Sequence, residues 1–139
     1  MHLSQLFSER IAALQSAPWS SSIVGIRRGI ERETLRIKPD GRLSQLDHPK
    51  ALGSALTHPL ITTDFSESLL EFITPAQTDI DVTVAQLTDI HRFALSHLGD
   101  EQLGAGSMPC FIEHQDEIRL AYYGRSNVGR MKTVYRQGL

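Results

Sequence analysis

Apolar and polar positions alternate along this chain with two different periods, and the change of period marks its elements. Leu3, Phe7, Ile11 and Leu14 recur three and four residues apart, with Ser4, Ser8, Glu9 and Gln15 between them, the spacing of an amphipathic helix. Pro18 ends that helix, and Trp19 to Ser22 reads as a short connection. Its apolar stripe is expected to cover the domain's own core, as most such stripes do. From Gly25 to Ile37 the run is dense in β-branched residues and arginine, the composition of an extended strand. Lys38-Pro39-Asp40-Gly41 then reads as a tight turn, with Leu43 to Leu46 returning beside the strand as a hairpin.

A second extended run lies in Ile61 to Pro75, where period two puts Glu67, Leu69, Glu71 and Ile73 on one face and Ser68, Leu70 and Phe72 on the other. Ile80, Val84, Leu87, Ile90 or His91, Ala94 and Leu98 return to helical spacing, with Asp79 or Asp81 as the N-cap and Gly99 closing the helix. Asp100 to Gly106 reads as a loop, and Ile118 to Tyr123 as either a strand or the start of a helix. The last stretch, Tyr123 to Leu139, sets glycines beside Ser, Asn, Arg and Lys, which lets amides and cations approach an anion. A helix starting near Lys132 would have only about two turns before the last residue.

The chemistry sits on the two extended runs. Glu31 and Glu33 are two residues apart, so on a strand they share a face with roots about 6.6 Å apart. Two acids on one face repel unless a cation lies between them, and a hard divalent ion such as Mg²⁺ or Mn²⁺ takes oxygen ligands of this kind. The competing reading is a solvated face neutralised by Arg27, Arg28, Arg32 and Arg36. Glu71, flanked by Leu69 and Ile73, is a candidate buried acid that needs an arginine or a metal. On one sheet it converges on Glu31 and Glu33, with Asp64 as a fourth oxygen donor. The alternative is an Arg–Glu cross-strand pair. His48, His58, His91 and His97 lack ligand spacing and read as structural or surface residues. Cys110 lies in a short apolar stretch and reads as buried and inert.

Composition narrows the partners. The 139 residues carry 14 basic and 16 acidic side chains, a formal charge of −2, which argues against nucleic acid or an anionic membrane as a partner held by bulk charge. The charge is unevenly placed: Arg119, Arg125, Arg130, Lys132 and Arg136 follow Ile118 with no acid among them, whereas Asp64 to Glu117 is predominantly acidic. That suits a site assembled from carboxylates and cations of different segments. A single cysteine excludes an internal disulfide and fits a reducing cytoplasm, and no apolar run has the length of a membrane span. The expected location is cytoplasmic.

Six segments in order carry a resemblance. They are Gly-Ile-Arg-Arg-Gly-Ile-Glu-Arg-Glu-Thr-Leu-Arg at 25–36, His-Pro-Lys-Ala-Leu-Gly-Ser-Ala-Leu-Thr-His at 48–58, Ile-Thr-Thr-Asp-Phe at 61–65, Leu-Leu-Glu-Phe-Ile-Thr-Pro at 69–75, Ser-Met-Pro-Cys at 107–110, and Tyr-Gly-Arg-Ser-Asn-Val-Gly-Arg-Met-Lys-Thr-Val-Tyr-Arg at 123–136. Together they resemble the N-terminal portion of the proteobacterial glutamate–cysteine ligases. The resemblance implies an α+β fold, an antiparallel sheet flanked by helices and forming part of a bowl of the glutamine-synthetase type. Residues 1–139 would be a single domain or an N-terminal fragment of a longer catalytic domain. It implies ATP-dependent joining of the γ-carboxyl of glutamate to cysteine through γ-glutamyl phosphate, the first step of glutathione synthesis, with Mg²⁺ or Mn²⁺ as cofactor and ATP as co-substrate. A truncated or diverged relative, binding metal or ligand without catalysis or associating through an exposed sheet edge, is the alternative.

By matched position, Glu31, Glu33, Asp64 and Glu71 would belong to the metal and phosphate cluster. Phe65, Tyr135 and Arg136 would line the cysteine pocket, with Arg136 also assigned to catalysis. The pattern is departed from at Gly104-Ala105-Gly106, where Trp-Pro-Leu is expected, and at Tyr122, where glutamine is usual.

Overall fold

The computed structural model describes residues 3–16 and 19–138. Its centre is a four-stranded antiparallel sheet of β1 (Glu31–Ile37), β2 (Ile61–Thr63), β3 (Leu69–Ile73) and β4 (Gln102–Leu103), in the order β2-β3-β1-β4. Helix α3 (Ile80–Leu95) packs on it, and with α1 (Leu3–Gln15), α2 (Trp19–Val24) and α4 (Asn127–Gln137) gives the expected α+β class.

One sheet face builds the core. Leu70 and Phe72 of β3 and Ile61 of β2 pack with Ile90, Ala94 and Leu98 from α3 and the turn after it, and with Leu52. Asp79 caps α3 as expected, its side chain accepting from the amides of Asp81 and Val82. On β1 this core face carries Thr34 and Arg36, both buried. Arg36 is 0 % exposed and would be costly there without partners. It donates to Glu101 at 2.9 and 3.2 Å, to the Leu46 carbonyl at 2.7 Å and to the Glu67 carbonyl at 2.9 Å.

Several expectations change. The α1 stripe does not cover the core: α1 has no buried residue, and Leu3, Phe7, Ile11 and Leu14 are all exposed. Helical spacing guarantees a stripe but not a partner for it. Pro18 lies outside the described residues, and the run from Trp19 is helical rather than a connection. The long first strand is shorter than its composition suggests. Pairing starts at Glu31, preceded only by a bridge from Arg28 to Gln77.

The hairpin return is a single bridge from Leu43 to Ile37 on the β3 side of β1, and the opposite edge of β1 pairs with β4, inside the stretch expected to be loop. Residues 118–123 form neither strand nor helix beyond a bridge from Leu120 to Ser66. The last helix begins at Asn127, five residues before Lys132, because Ser126 accepts a hydrogen bond from the Gly129 amide and caps it. The histidines are structural as expected. The Nδ1 of His58 accepts from the amides of Leu60 and Ile61, and His91 stands edge-on to Phe72 while its Nδ1 donates to Leu87 O.

Candidate functional site

The other face of the sheet holds the acids. Antiparallel pairing sets Glu33 directly opposite Glu71, Glu31 opposite Ile73 and Thr62 opposite Glu71. Glu31, Glu33 and Glu71 therefore share one face, away from the core. The arginines of β1 do not neutralise them: Arg32 and Arg36, at even positions, lie on the opposite face, and Arg27 donates to the Ala76 carbonyl. Among the described residues no ion pair includes Glu31, Glu33 or Glu71. The Glu71 carboxyl is consequently held above the ordinary carboxylate range. Partial burial contributes most, followed by the charges of Asp64, Glu31 and Glu33, while Lys132 pulls in the other direction.

Asp64 stands at the end of β2 but turns to another partner. Its Oδ1 accepts from Arg136 at 2.8 Å, with the arginine side chain 10 % exposed. No group of three His, Cys, Asp or Glu side chains among the described residues is arranged to hold a metal ion. The four candidate acids thus divide into three on the open sheet face and one paired with Arg136. A cation suits the face electrostatically, because the charges of Asp64, Glu31 and Glu33 add to burial in raising Glu71.

Arg136 and Phe65 line one cleft of 570 Å³ with Gln115, Asp116, Ile118, Leu120 and Gln137. Tyr135, one position away on α4, lines a separate groove with Asn127, Arg130, Met131 and Val134. Adjacent helix positions point about 100° apart, which accounts for the split. A larger cavity of 710 Å³ lies beside β1, lined in part by Glu33, Thr34, Gly104, Ala105, Gly106 and Cys110. Cys110 is half-buried rather than fully enclosed, and desolvation pushes its thiol above the usual value.

Three residues escaped sequence reasoning. Period two placed Glu67 beside Glu71, but it precedes β3 and is buried, accepting from the amides of His48 at 2.8 Å and Tyr122 at 2.7 Å. Tyr123 carries Arg136 and Lys132 against its ring; it opens the segment 123–136 that carries the resemblance but was assigned no role. Lys132 was read only as one of the basic residues of the last stretch, and its charge reaches Glu71.

The family model described as glutamate-cysteine ligase matches residues 11–139. The chain belongs to the glutamate–cysteine ligase family. Among curated members, the ligase of Alcanivorax borkumensis is 57 % identical over 131 residues, covering 94 % of this chain and 25 % of that protein. The ligase of Aliivibrio fischeri is 55 % identical over 133 residues, covering 96 % of this chain and 25 % of that protein. The chain therefore spans about a quarter of the length of these relatives. A crystal structure of the Francisella tularensis glutamate–cysteine ligase in complex with AMP superposes with a TM-score of 0.78 at 46 % identity, over 81 % of this chain and 23 % of that one. The Pasteurella multocida bifunctional glutathione synthetase gives 0.64 at 36 % identity, over 67 % of this chain and 13 % of that one. Among the described residues of this ligase-family chain no helix is long and apolar enough to cross a membrane.

Proposed function

We propose that this chain supplies one wall of a glutamate–cysteine ligase active site: the acid face that receives a divalent cation with ATP phosphates, and the arginine that receives the carboxylate of cysteine. The carrying observation is the unneutralised face of Glu31, Glu33 and Glu71, bordered by Lys132 and Arg136 in a chain of this family. On this reading residues 1–139 are the N-terminal portion of a longer catalytic domain working in the cytoplasm. ATP phosphorylates the γ-carboxyl of glutamate, and the cysteine amine attacks the resulting γ-glutamyl phosphate.

Mg²⁺ or Mn²⁺, held by Glu31, Glu33 and Glu71 and by Asp64 once released from Arg136, would supply charge neutralisation to the transferring phosphoryl group. This chain's own residues do the rest. Phe65 gives an apolar wall to the 570 Å³ cleft, and Arg136 offers a two-pronged donor to a carboxylate within it. Tyr135 faces the neighbouring groove, where it would meet substrate from a second side.

The test is formation of γ-glutamylcysteine from ATP, glutamate and cysteine by the ligase carrying this segment. Glu33→Gln and Glu71→Gln should each lower kcat at least a hundredfold. Unchanged turnover in both variants would refute the metal assignment. A second reading, a self-associating module, is favoured for the isolated chain by the exposed stripe Leu3, Phe7, Ile11 and Leu14. Sedimentation at increasing concentration separates the two, since a monomer throughout removes the module reading.

A further inference from the structure

We propose that Tyr123 is a positioning residue that fixes Arg136 in its cleft and holds Lys132 beside it. The functional sense of this rests on the reading of Arg136 as the carboxylate donor; the positioning itself rests on geometry. The Arg136 Cζ lies 4.9 Å from the centre of the Tyr123 ring, and the Lys132 Nζ lies 4.7 Å from it. These two residues are one turn apart on α4, a spacing at which like charges repel. The electron-rich ring between them offsets that repulsion. The hydroxyl adds direction: it accepts from Arg136 Nη1 and donates to the carbonyls of Thr63 and Asp64 at the end of β2. Arg136 is thus fixed by ring, hydroxyl and the Asp64 carboxylate together.

The tyrosine is itself rigidly mounted. Glu67 accepts from the amide of the preceding residue, and the Ala121 amide donates to Phe65 O at 3.0 Å. Helix α4 lies directly on the backbone of residues 123–124, because Gly129 has no side chain there: a Cβ would stand 2.5 Å from the Tyr123 oxygen. Arginine carries substantial rotamer entropy, and a guanidinium ordered before the ligand arrives does not lose it on binding.

The experiment uses the 139-residue chain with Tyr123→Phe and Tyr123→Leu, read by side-chain NMR of Arg136 and Lys132 and by calorimetric titration with L-cysteine. In the parent, Arg136 should show hindered guanidinium rotation, and both cations should show ring-current shifts. Tyr123→Phe should keep the shifts, speed the rotation to what the Asp64 contact alone allows and weaken cysteine binding about tenfold. Tyr123→Leu should lose the shifts as well. A guanidinium that rotates freely in the parent, or equally hindered in Tyr123→Phe, overturns the proposal, and the near-isosteric Phe variant decides this even if the Leu variant fails to fold. If the parent shows the fixed guanidinium but binds no cysteine, positioning is supported and the carboxylate reading of Arg136 falls instead.

Discussion

Replacing Glu71 by glutamine should make the metal-free protein more stable and its response to divalent cations weaker. Glu71 faces Glu33 directly across the β1–β3 pair and Glu31 on the diagonal, with no ion-pair partner among the described residues. Directly opposed like charges in a sheet cost about 0.2–1 kcal/mol per pair. Two such neighbours plus the more distant Asp64 bring the total to about 1 kcal/mol, a rise of about 3 °C in melting temperature for a chain of this size. The pH dependence follows from the raised carboxyl, whose causes are burial first and then Asp64, Glu31 and Glu33. Because the folded state holds this proton more tightly than the unfolded state, Glu71 favours folding in acid. That advantage is lost as the pH climbs from the ordinary glutamate value through the raised one. The variant's gain should therefore be present at pH 7 and vanish near pH 4.

A bound cation reverses the sign. At about a hundred times its dissociation constant it adds about 2.7 kcal/mol to the parent, and the variant, lacking one ligand, should gain much less. Thermal melts at pH 4 and pH 7, with chelator or with Mg²⁺, measure all four corners. A Glu71→Gln variant no more stable than the parent in chelator at pH 7 would refute the repulsion argument, and an equal Mg²⁺ response in both proteins would remove Glu71 from the cation site.

Arg36→Met should destabilise by about 3–5 kcal/mol in urea titration, because it strands the buried Glu101 carboxylate, and Arg36→Met with Glu101→Leu should recover most of that loss. Gly129→Ala gains about 1 kcal/mol of helix propensity but drives a Cβ to 2.5 and 2.7 Å from two backbone oxygens, so a net loss of about 1–2 kcal/mol is expected, where a more stable variant would show that α4 can lift freely. Asp79→Ala, losing the cap of α3, should cost about 1 kcal/mol by the same titration.

Period and turn chemistry made much of this fold legible. Helix α3 was readable because its apolar spacing and its aspartate cap agree, although it ends at Leu95 with Ser96 as C-cap, short of the glycine expected to close it. The shared face of Glu31, Glu33 and Glu71 was readable because side chains on a strand alternate with period two whatever the partner. Antiparallel register then adds what no local pattern holds, that Glu33 and Glu71 are direct opposites rather than diagonal neighbours. The start of α4 was missed because glycine weighs against helix, whereas Gly129 is there to let the helix rest on residues 123–124. The exposure of α1 was missed for a related reason: amphipathic spacing describes a surface and not what lies against it.

The placement of the arginines carries the argument furthest. Read as composition, a strand with arginines at 32 and 36 beside glutamates at 31 and 33 looks self-neutralising. Alternation makes it the opposite, because a one-residue offset sends each charge type to a different face. Arg36 spends its charge in the core on Glu101 and two carbonyls, so it is structural and unavailable to the acids. The acid face is left to cations that come from elsewhere, and α4 brings Lys132 and Arg136 to its border from more than fifty residues further along the chain. Neutralising this face from within β1 would need a basic residue at an odd position. Leu35→Arg puts one there: on the reasoning above it should lower the Glu71 carboxyl toward its ordinary value and weaken Mg²⁺ stabilisation, both readable by carboxyl-resolved NMR titration. A Leu35→Arg variant with Glu71 still raised would show that burial alone, and not the uncompensated neighbours, sets its state.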